Sequence, residues 1–379
     1  MSEMTGPGPV PPVAALCREL VRIPSPSGDE GRLAAFVAER MEAAGLEVET
    51  DRWGGVLGVR PASRPGPTLL LDAHLDTVRA AEPGAWTRDP LGGEVEGGRL
   101  FGLGAADTKG SLAAMICAAE ALGDVAGTLL VSASVGEEDL TGAALSGLLD
   151  RRPADLVLVG EPTRLRLGTA QKGRAGLVVE ACGRSAHSSR PELGENAVYR
   201  MMEAVARLRA VPLPSDPELG SGVCELIEIG SEPSPSTGMV PHRCVARFAV
   251  RLLPGETAEE VVGRTARALD GLEGLSVRLA ALARRCHTGA ELAMEEFVPA
   301  WRSGDRALES LLLAAVGTTP FAAPYTTNAS AAAARGIPAF LLGPGSIEQA
   351  HAVDEWVGLD ELVAARDAYV AAARAFLAG

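Results

Sequence analysis

Apolar positions along this chain recur in two rhythms. Over residues 13–21 and 31–44 they return every three or four positions, the spacing of amphipathic helices, and Gly45 ends the second. Residues 46–50 and 56–59 read as short strands. Leu69, Leu70 and Leu71 then form an unbroken apolar run, the kind a strand buried on both faces needs. Residues 68–73 are the predicted strand, and the apolar run gives way to Asp72, His74 and Asp76. A Gly-, Pro- and Trp-rich loop leads to a helix over 111–122, a strand over 128–135, a helix over 142–149 and a strand over 155–159. Strands alternating with helices predict an α/β fold with a mixed, mostly parallel sheet sandwiched by helices.

The character changes after QKGRAG, near Gly173. Strands over 177–181, 225–229, 244–252 and 275–281 mix with helices over 196–208 and 257–272, which predicts a smaller α+β insert. From about residue 288 the first pattern returns, with helix 307–316, strand 339–342 and helix 359–377. The expected organisation is one domain in two parts, 1–172 and 288–379, split by an inserted domain over 173–287.

A chain of 379 residues accommodates two such domains. Its net charge of −14 argues against nucleic acid or an anionic membrane as partner. Six scattered cysteines without a CxxC pair look like reduced thiols. No apolar run approaches the roughly 20 residues of a membrane span. Residues 1–13 lack the basic and apolar regions of a signal peptide and read as a Pro- and Gly-rich tail. A cytoplasmic protein is expected.

The chemistry collects at the strand ends: His74 and Asp76, Asp107, Glu137 and Glu138, Glu161, and later His351. Open α/β sheets keep their sites there. Two imidazoles and three carboxylates suit a pair of zinc ions with one bridging carboxylate. His74 and Asp76, two apart, point to one face, so the carboxylate can hold one ring nitrogen while the other binds metal. Any one of these residues alone is uninformative, since a lone carboxylate is usually solvated and a lone histidine usually structural. The signal lies in the set, which takes two of only five histidines. GLGAADTKGS resembles a dinucleotide fingerprint, but Asp107 stands where the third glycine belongs and would repel pyrophosphate. The sequon at Asn328 carries no information in a cytosolic protein.

Taken together, these motifs resemble the zinc aminoacylase and metallopeptidase family of acetylornithine deacetylase, succinyl-diaminopimelate desuccinylase, carboxypeptidase G and aminoacylase-1. The resemblance runs from SPSGDEG to QAHAVDE; GEEDLTG, GEPT and YTTNAS are similar to a bacterial branch of selenium-metabolism-linked or acetylornithine deacetylase-like hydrolases. It implies a zinc-exopeptidase-like catalytic domain whose insert is a lid and dimerisation domain. It implies that His74 binds one zinc with Asp76 behind it, that Asp107 bridges, and that Glu138, Glu161 and His351 complete the two sites. Glu137 becomes the general base. His187 in GRSAHSSRP matches a histidine that reaches into the partner subunit's site, and Arg251 an arginine that binds the substrate carboxylate. Thr327 and Asn328 fall in the loop lining the substrate pocket. His187 also reads as the cap of a lid turn, Arg251 as a surface arginine, and His242 and His287 as structural.

Three positions depart from the family pattern: Gly136 and Ala249 where Asp is usual, and Met239 where Asn is usual. They place the substrate in question, not the metal chemistry. The implied activity is hydrolysis of the amide of an N-acyl amino acid or related small carboxylate by a homodimer with two zinc ions, cobalt or manganese being possible. A metallo-dipeptidase or carboxypeptidase is the close alternative. A catalytically silent, metal-stabilised scaffold is the reading from another class, and an unligated base at Glu137 argues against it.

Overall fold

The computed structural model describes residues 10–80, 84–235 and 238–377. The tail reading falls mostly on residues 1–9, outside the described residues. Among the described residues nine strands build the main sheet. Across it run Glu47–Thr50, Val56–Arg60, Thr128–Ser134, Thr68–His74, Leu156–Val159, Ala339–Leu341, Leu167–Gln171 and Trp301–Arg302, with Pro320–Ala323 also paired to Leu167–Gln171. The four middle strands, Thr128–Ser134 to Ala339–Leu341, are parallel, and antiparallel pairs flank them.

The apolar runs explain this centre. Leu69 and Leu71 enter one core and Leu70 the other; Leu156 and Leu158 divide from Val157 in the same way. Each leucine so buried is worth about 1.5–3 kcal/mol. Helices Pro12–Val21, Gly31–Ala43, Gly110–Ala121 and Leu359–Leu377 cover one face, while Ala143–Arg151 and Ala329–Ala333 cover the other. The sequence expectation of a mixed sheet between helix layers is met.

A second, antiparallel sheet orders Val223–Glu232, Arg243–Leu252, Gly173–Cys182 and Leu275–Leu279. Helices Ala197–Arg209 and Ala258–Ala268 pack on one face through residues such as Met201, Val261, Leu177 and Phe248. Asn196 caps the first helix, and a Thr257–Glu260 capping box opens the second. This sheet extends beyond residue 287, because Phe297–Val298 also pairs with Gly173–Cys182. A hairpin of Ala281–Arg285 and Glu291–Glu295 precedes that strand. His287 at its turn abuts Gly31 and Gly54, and Leu292 lies against Gly136, so the hairpin leans on the main sheet's side of the molecule.

Candidate active site and metal centre

The carboxyl ends of three parallel strands carry the chemistry. Thr68–His74 ends at His74, Leu156–Val159 leads to Glu161, and Thr128–Ser134 leads through Gly136 into the short helix Glu137–Leu140. Gly136 adopts φ +69°, a left-handed conformation that glycine takes freely and that Asp or Asn tolerates next best. The first N–H groups of any helix lack partners within it. Here Asp76 supplies them: Oδ1 accepts from Glu137 N–H at 3.0 Å, and Oδ2 from Glu138 N–H at 3.1 Å and the Ser27 hydroxyl at 2.8 Å.

This corrects the expected His74–Asp76 contact. His74 Nδ1 lies 2.8 Å from the Asp76 main-chain oxygen but 3.7 Å from its carboxylate. The backbone carbonyl orients the imidazole, and the carboxylate is spent on the turn that carries Glu137.

Asp107 arrives on a loop with little freedom. Gly104 sits at φ +82°, where an added Cβ would meet Thr77 Cγ2 at 2.7 Å. Glu355 accepts the N–H groups of Gly104, Ala106 and Asp107 at 2.9, 2.8 and 3.1 Å. Asp107 Oδ1 stands 3.0 Å from His74 Nε2, and Oδ2 3.5 Å from His351 Nε2. The same His351 nitrogen is 3.0 Å from Glu138 Oε2. One carboxylate with an imidazole at each oxygen is the arrangement a bridging ligand needs. His74, Asp107 and Glu138 each present a ligand atom, all within 4.8 Å of one another.

Burial and like charge dominate the electrostatics of the cluster. Burial pushes the Glu137 carboxyl up to about 8, with Glu138, Asp76 and Asp107 adding to it against His74. Burial and the charges of Asp107 and Glu137 hold Glu161 well above the carboxylate range, and burial raises Glu138. Burial opposes a charge on His74, yet the Asp107 hydrogen bond and charge carry it well above its ordinary value. Glu138 raises His351 to about 9. Carboxylate oxygens and imidazole nitrogens crowded in this way form a donor set that fits divalent metal ions such as zinc.

Among the described residues, the remaining sequence candidates bond to partners outside this cluster. His187 is exposed, and Ser189 donates to its Nδ1 from both N–H and hydroxyl; a β-bridge joins His187 to Met239. Arg251 Nη1 reaches Thr326 Oγ1 at 3.4 Å, beside its cross-strand neighbour Arg174. Burial and Arg174 lower its pKa. Thr327 and Asn328 need correction. Both side chains are buried and spent internally, Thr327 on Gln171 and Asn328 on Asp72, Ser134 and Gly142 N–H. Every side-chain donor they carry is taken within the protein. His287 is structural as expected, packed on glycines and 3.4 Å from Glu30. Sequence reasoning passed over Glu355 and gave Asp72 no role, although Asp72 is a conspicuous acid in an apolar strand.

Fold and site together define a metal-binding hydrolase of the α/β class. The profile of Peptidase family M20/M25/M40 matches residues 70–375. The uncharacterized protein YgeY of Escherichia coli K12 is 32% identical over 95% of this chain and 93% of its own. An acetylornithine deacetylase of Pectobacterium atrosepticum is 30% identical over 92% and 93%. A succinyl-diaminopimelate desuccinylase of Rhodospirillum centenum is 32% identical over 70% and 74%. Among solved structures, aminopeptidase PepT of Bacillus cereus superposes with a TM-score of 0.74 at 22% identity, covering 96% of this chain and 98% of its own. YxeP of Bacillus subtilis, a dinuclear metal-binding peptidase, superposes with a TM-score of 0.70 at 16% identity, covering 96% and 97%. These two likenesses concern the fold. The chain belongs to peptidase family M20/M25/M40 and is a hydrolytic enzyme.

Proposed function

We propose that this enzyme hydrolyses the amide bond of an N-acyl amino acid or related small carboxylate, with Glu137 as general base and then general acid. The observation that carries this reading is the state of Glu137. Its main chain is clamped by Asp76, while among the described residues its buried carboxylate makes no hydrogen bond. A buried carboxylate held beside the cluster by its main chain, with its oxygens unpaired, is placed to take a proton and return it. His74, Asp107, Glu138, Glu161 and His351 would hold two zinc ions, with cobalt or manganese as substitutes. Bound there, the ions would supply Lewis acidity and lower the pKa of water to about 7. Glu137 accepts the proton of the attacking water and delivers it to the leaving amine.

Arg251, half-buried beside Thr326, would pair with the substrate carboxylate through both guanidinium donors. The inserted segment, read as a lid and dimerisation domain from residue 173, would carry His187 to the partner subunit's scissile carbonyl. Its exposure supports a role in trans. Six free cysteines support a reducing, cytoplasmic setting. Among the described residues no helix is long and apolar enough to cross a membrane.

The test is amine release from N-acetyl, N-succinyl and N-formyl amino acids and dipeptides, with zinc, with chelator and with Glu137→Ala. Chelator-sensitive release from one acyl class, reduced at least 100-fold in the variant, is expected. Release from dipeptides alone would move the reading to a dipeptidase or carboxypeptidase. Undiminished release by Glu137→Ala would remove the base.

A further inference from the structure

Asn328 is 3% exposed and Asp72 fully buried, one on the YTTNAS loop and the other in the central strand. The Asn328 amide uses its acceptor and both donors. Oδ1 accepts Gly142 N–H at 2.7 Å; Nδ2 donates to Asp72 Oδ2 at 2.9 Å and to Ser134 Oγ at 3.0 Å. Ser134 is the last residue before the turn that bears Glu137 and Glu138, and Gly142 is the first after it. One amide therefore grips the turn at its entrance and its exit, and ties both to the strand that ends in His74. Thr141 closes the same turn by donating its hydroxyl to the Glu137 carbonyl at 2.9 Å.

Asp72 adds direction. A carboxyl oxygen facing Nδ2 fixes which way the amide points, and so aims Oδ1 at Gly142 N–H. An apolar residue at 72 would pack the strand without the cost of burying a carboxyl, but it would leave the amide's direction to Gly142 N–H alone, because the Ser134 hydroxyl can donate or accept. We propose that Asp72 and Asn328 form a positioning pair that sets Glu137 relative to the ligand cluster through the two ends of its turn. Neither residue touches substrate. The inference rests on the reading of Glu137 as the base.

The experiment compares zinc-loaded wild type with Asn328→Asp, with Asp72→Asn, and with the exchanged pair carrying both changes. In Asn328→Asp two carboxyl groups face each other and the donor to Asp72 is gone. Turnover number is expected to fall on the order of 10- to 100-fold, the scale of a displaced catalytic group, with KM changed less than about twofold. Bound zinc should stay at the wild-type ratio, since no ligand is altered. The exchanged pair restores a donor at 72 and an acceptor at 328, so kcat should return to within about threefold of wild type. Asp72→Asn alone still offers an oxygen to Asn328 and should also stay within about threefold.

A merely structural role would lower melting temperature and zinc content while leaving kcat per loaded molecule unchanged, and that result overturns the proposal. So does an exchanged pair that folds and loads zinc yet stays impaired. Should Asn328→Asp fail to fold, the exchanged pair and Asp72→Asn decide the matter by the same kcat criteria. Glu137→Ala runs alongside: if it stays active the base reading has failed, whereas an inactive Glu137→Ala beside a fully active Asn328→Asp overturns the pair alone.

Discussion

Glu355 stands four residues after His351, and its two oxygens reach back to the loop that ends in Asp107. Through one carboxylate the last sequence motif braces Asp107, the proposed bridging ligand, in an earlier one. Burial and the charge of Asp107 push this carboxyl up to about 8, against three N–H donors that favour its charge. Glu355→Ala would strand three buried N–H groups, each costing about 1–3 kcal/mol when left without an acceptor. We expect a loss of about 2–5 kcal/mol in denaturant unfolding and zinc binding weakened about 10- to 100-fold in competition titrations. Unchanged zinc affinity in a folded variant would show that Asp107 holds its place without the brace. Of the proposed ligands, His74, Glu138 and Glu161 were legible in the sequence because each falls where an apolar strand ends, whereas Asp107 and His351 lie on loops and took their roles only from the resemblance. Glu355 was not legible, since an acid in a loop looks the same whether it faces water or three amides. Thr327 and Asn328 were misjudged for a related reason: a loop position gives nearness to the site, and side-chain direction is settled only by packing.

The strand Val223–Glu232 lies at one end of the second sheet and, among the described residues, pairs on one side only, with Arg243–Leu252. A bulge interrupts that pairing at Ile227, which is 58% exposed; Ile229 is 50% exposed, and Tyr199 and Met202 on the neighbouring helix are 71% and 61% exposed. Free strand edges with large apolar side chains invite a partner, and a second copy of this edge would satisfy them. Ile227→Lys with Ile229→Lys is therefore expected to turn a dimer into a folded monomer in analytical ultracentrifugation. Amide hydrolysis should fall with it if, as proposed, His187 serves the partner subunit's site. A wild type that sediments as a monomer removes the dimer, and a fully active monomeric variant removes the role of His187 in trans. The longer elements of both sheets were readable from periodicity to within a few residues. Leu167–Gln171, Trp301–Arg302 and Pro320–Ala323 were not, as two to five residues of mild character carry no period. Their place is fixed by the sheet edge they complete.

Over the whole molecule, charge is concentrated at one end of the main sheet, and this gives stability a pH dependence of known sign. Glu137 and Glu355 are pushed up to about 8 by burial, Glu138 and Glu161 are raised by the same cause, and His74 and His351 are raised by the carboxylates against burial. Without metal, each of these groups holds its proton more tightly folded than unfolded. Their contribution is complete below the ordinary value of 4.5 for the acids and fades as pH rises towards 8. The histidines act in the same direction, from 6.5 upward through about 9 for His351. Asp107 is held below its ordinary 3.8 and acts with the opposite sign, but that window closes near pH 4. Chelated protein should thus lose thermal stability steadily between pH 5 and pH 9. Zinc requires deprotonated ligands, so the melting-temperature increment it confers should grow over the same interval. Calorimetric scans at five or so pH values, with zinc and with chelator, measure both curves. A chelated curve that is flat or rises would mean that the acids are solvated in the metal-free protein. An increment that does not grow with pH would mean that zinc binds elsewhere, since a cation entering this cluster must displace the protons that the buried acids otherwise keep.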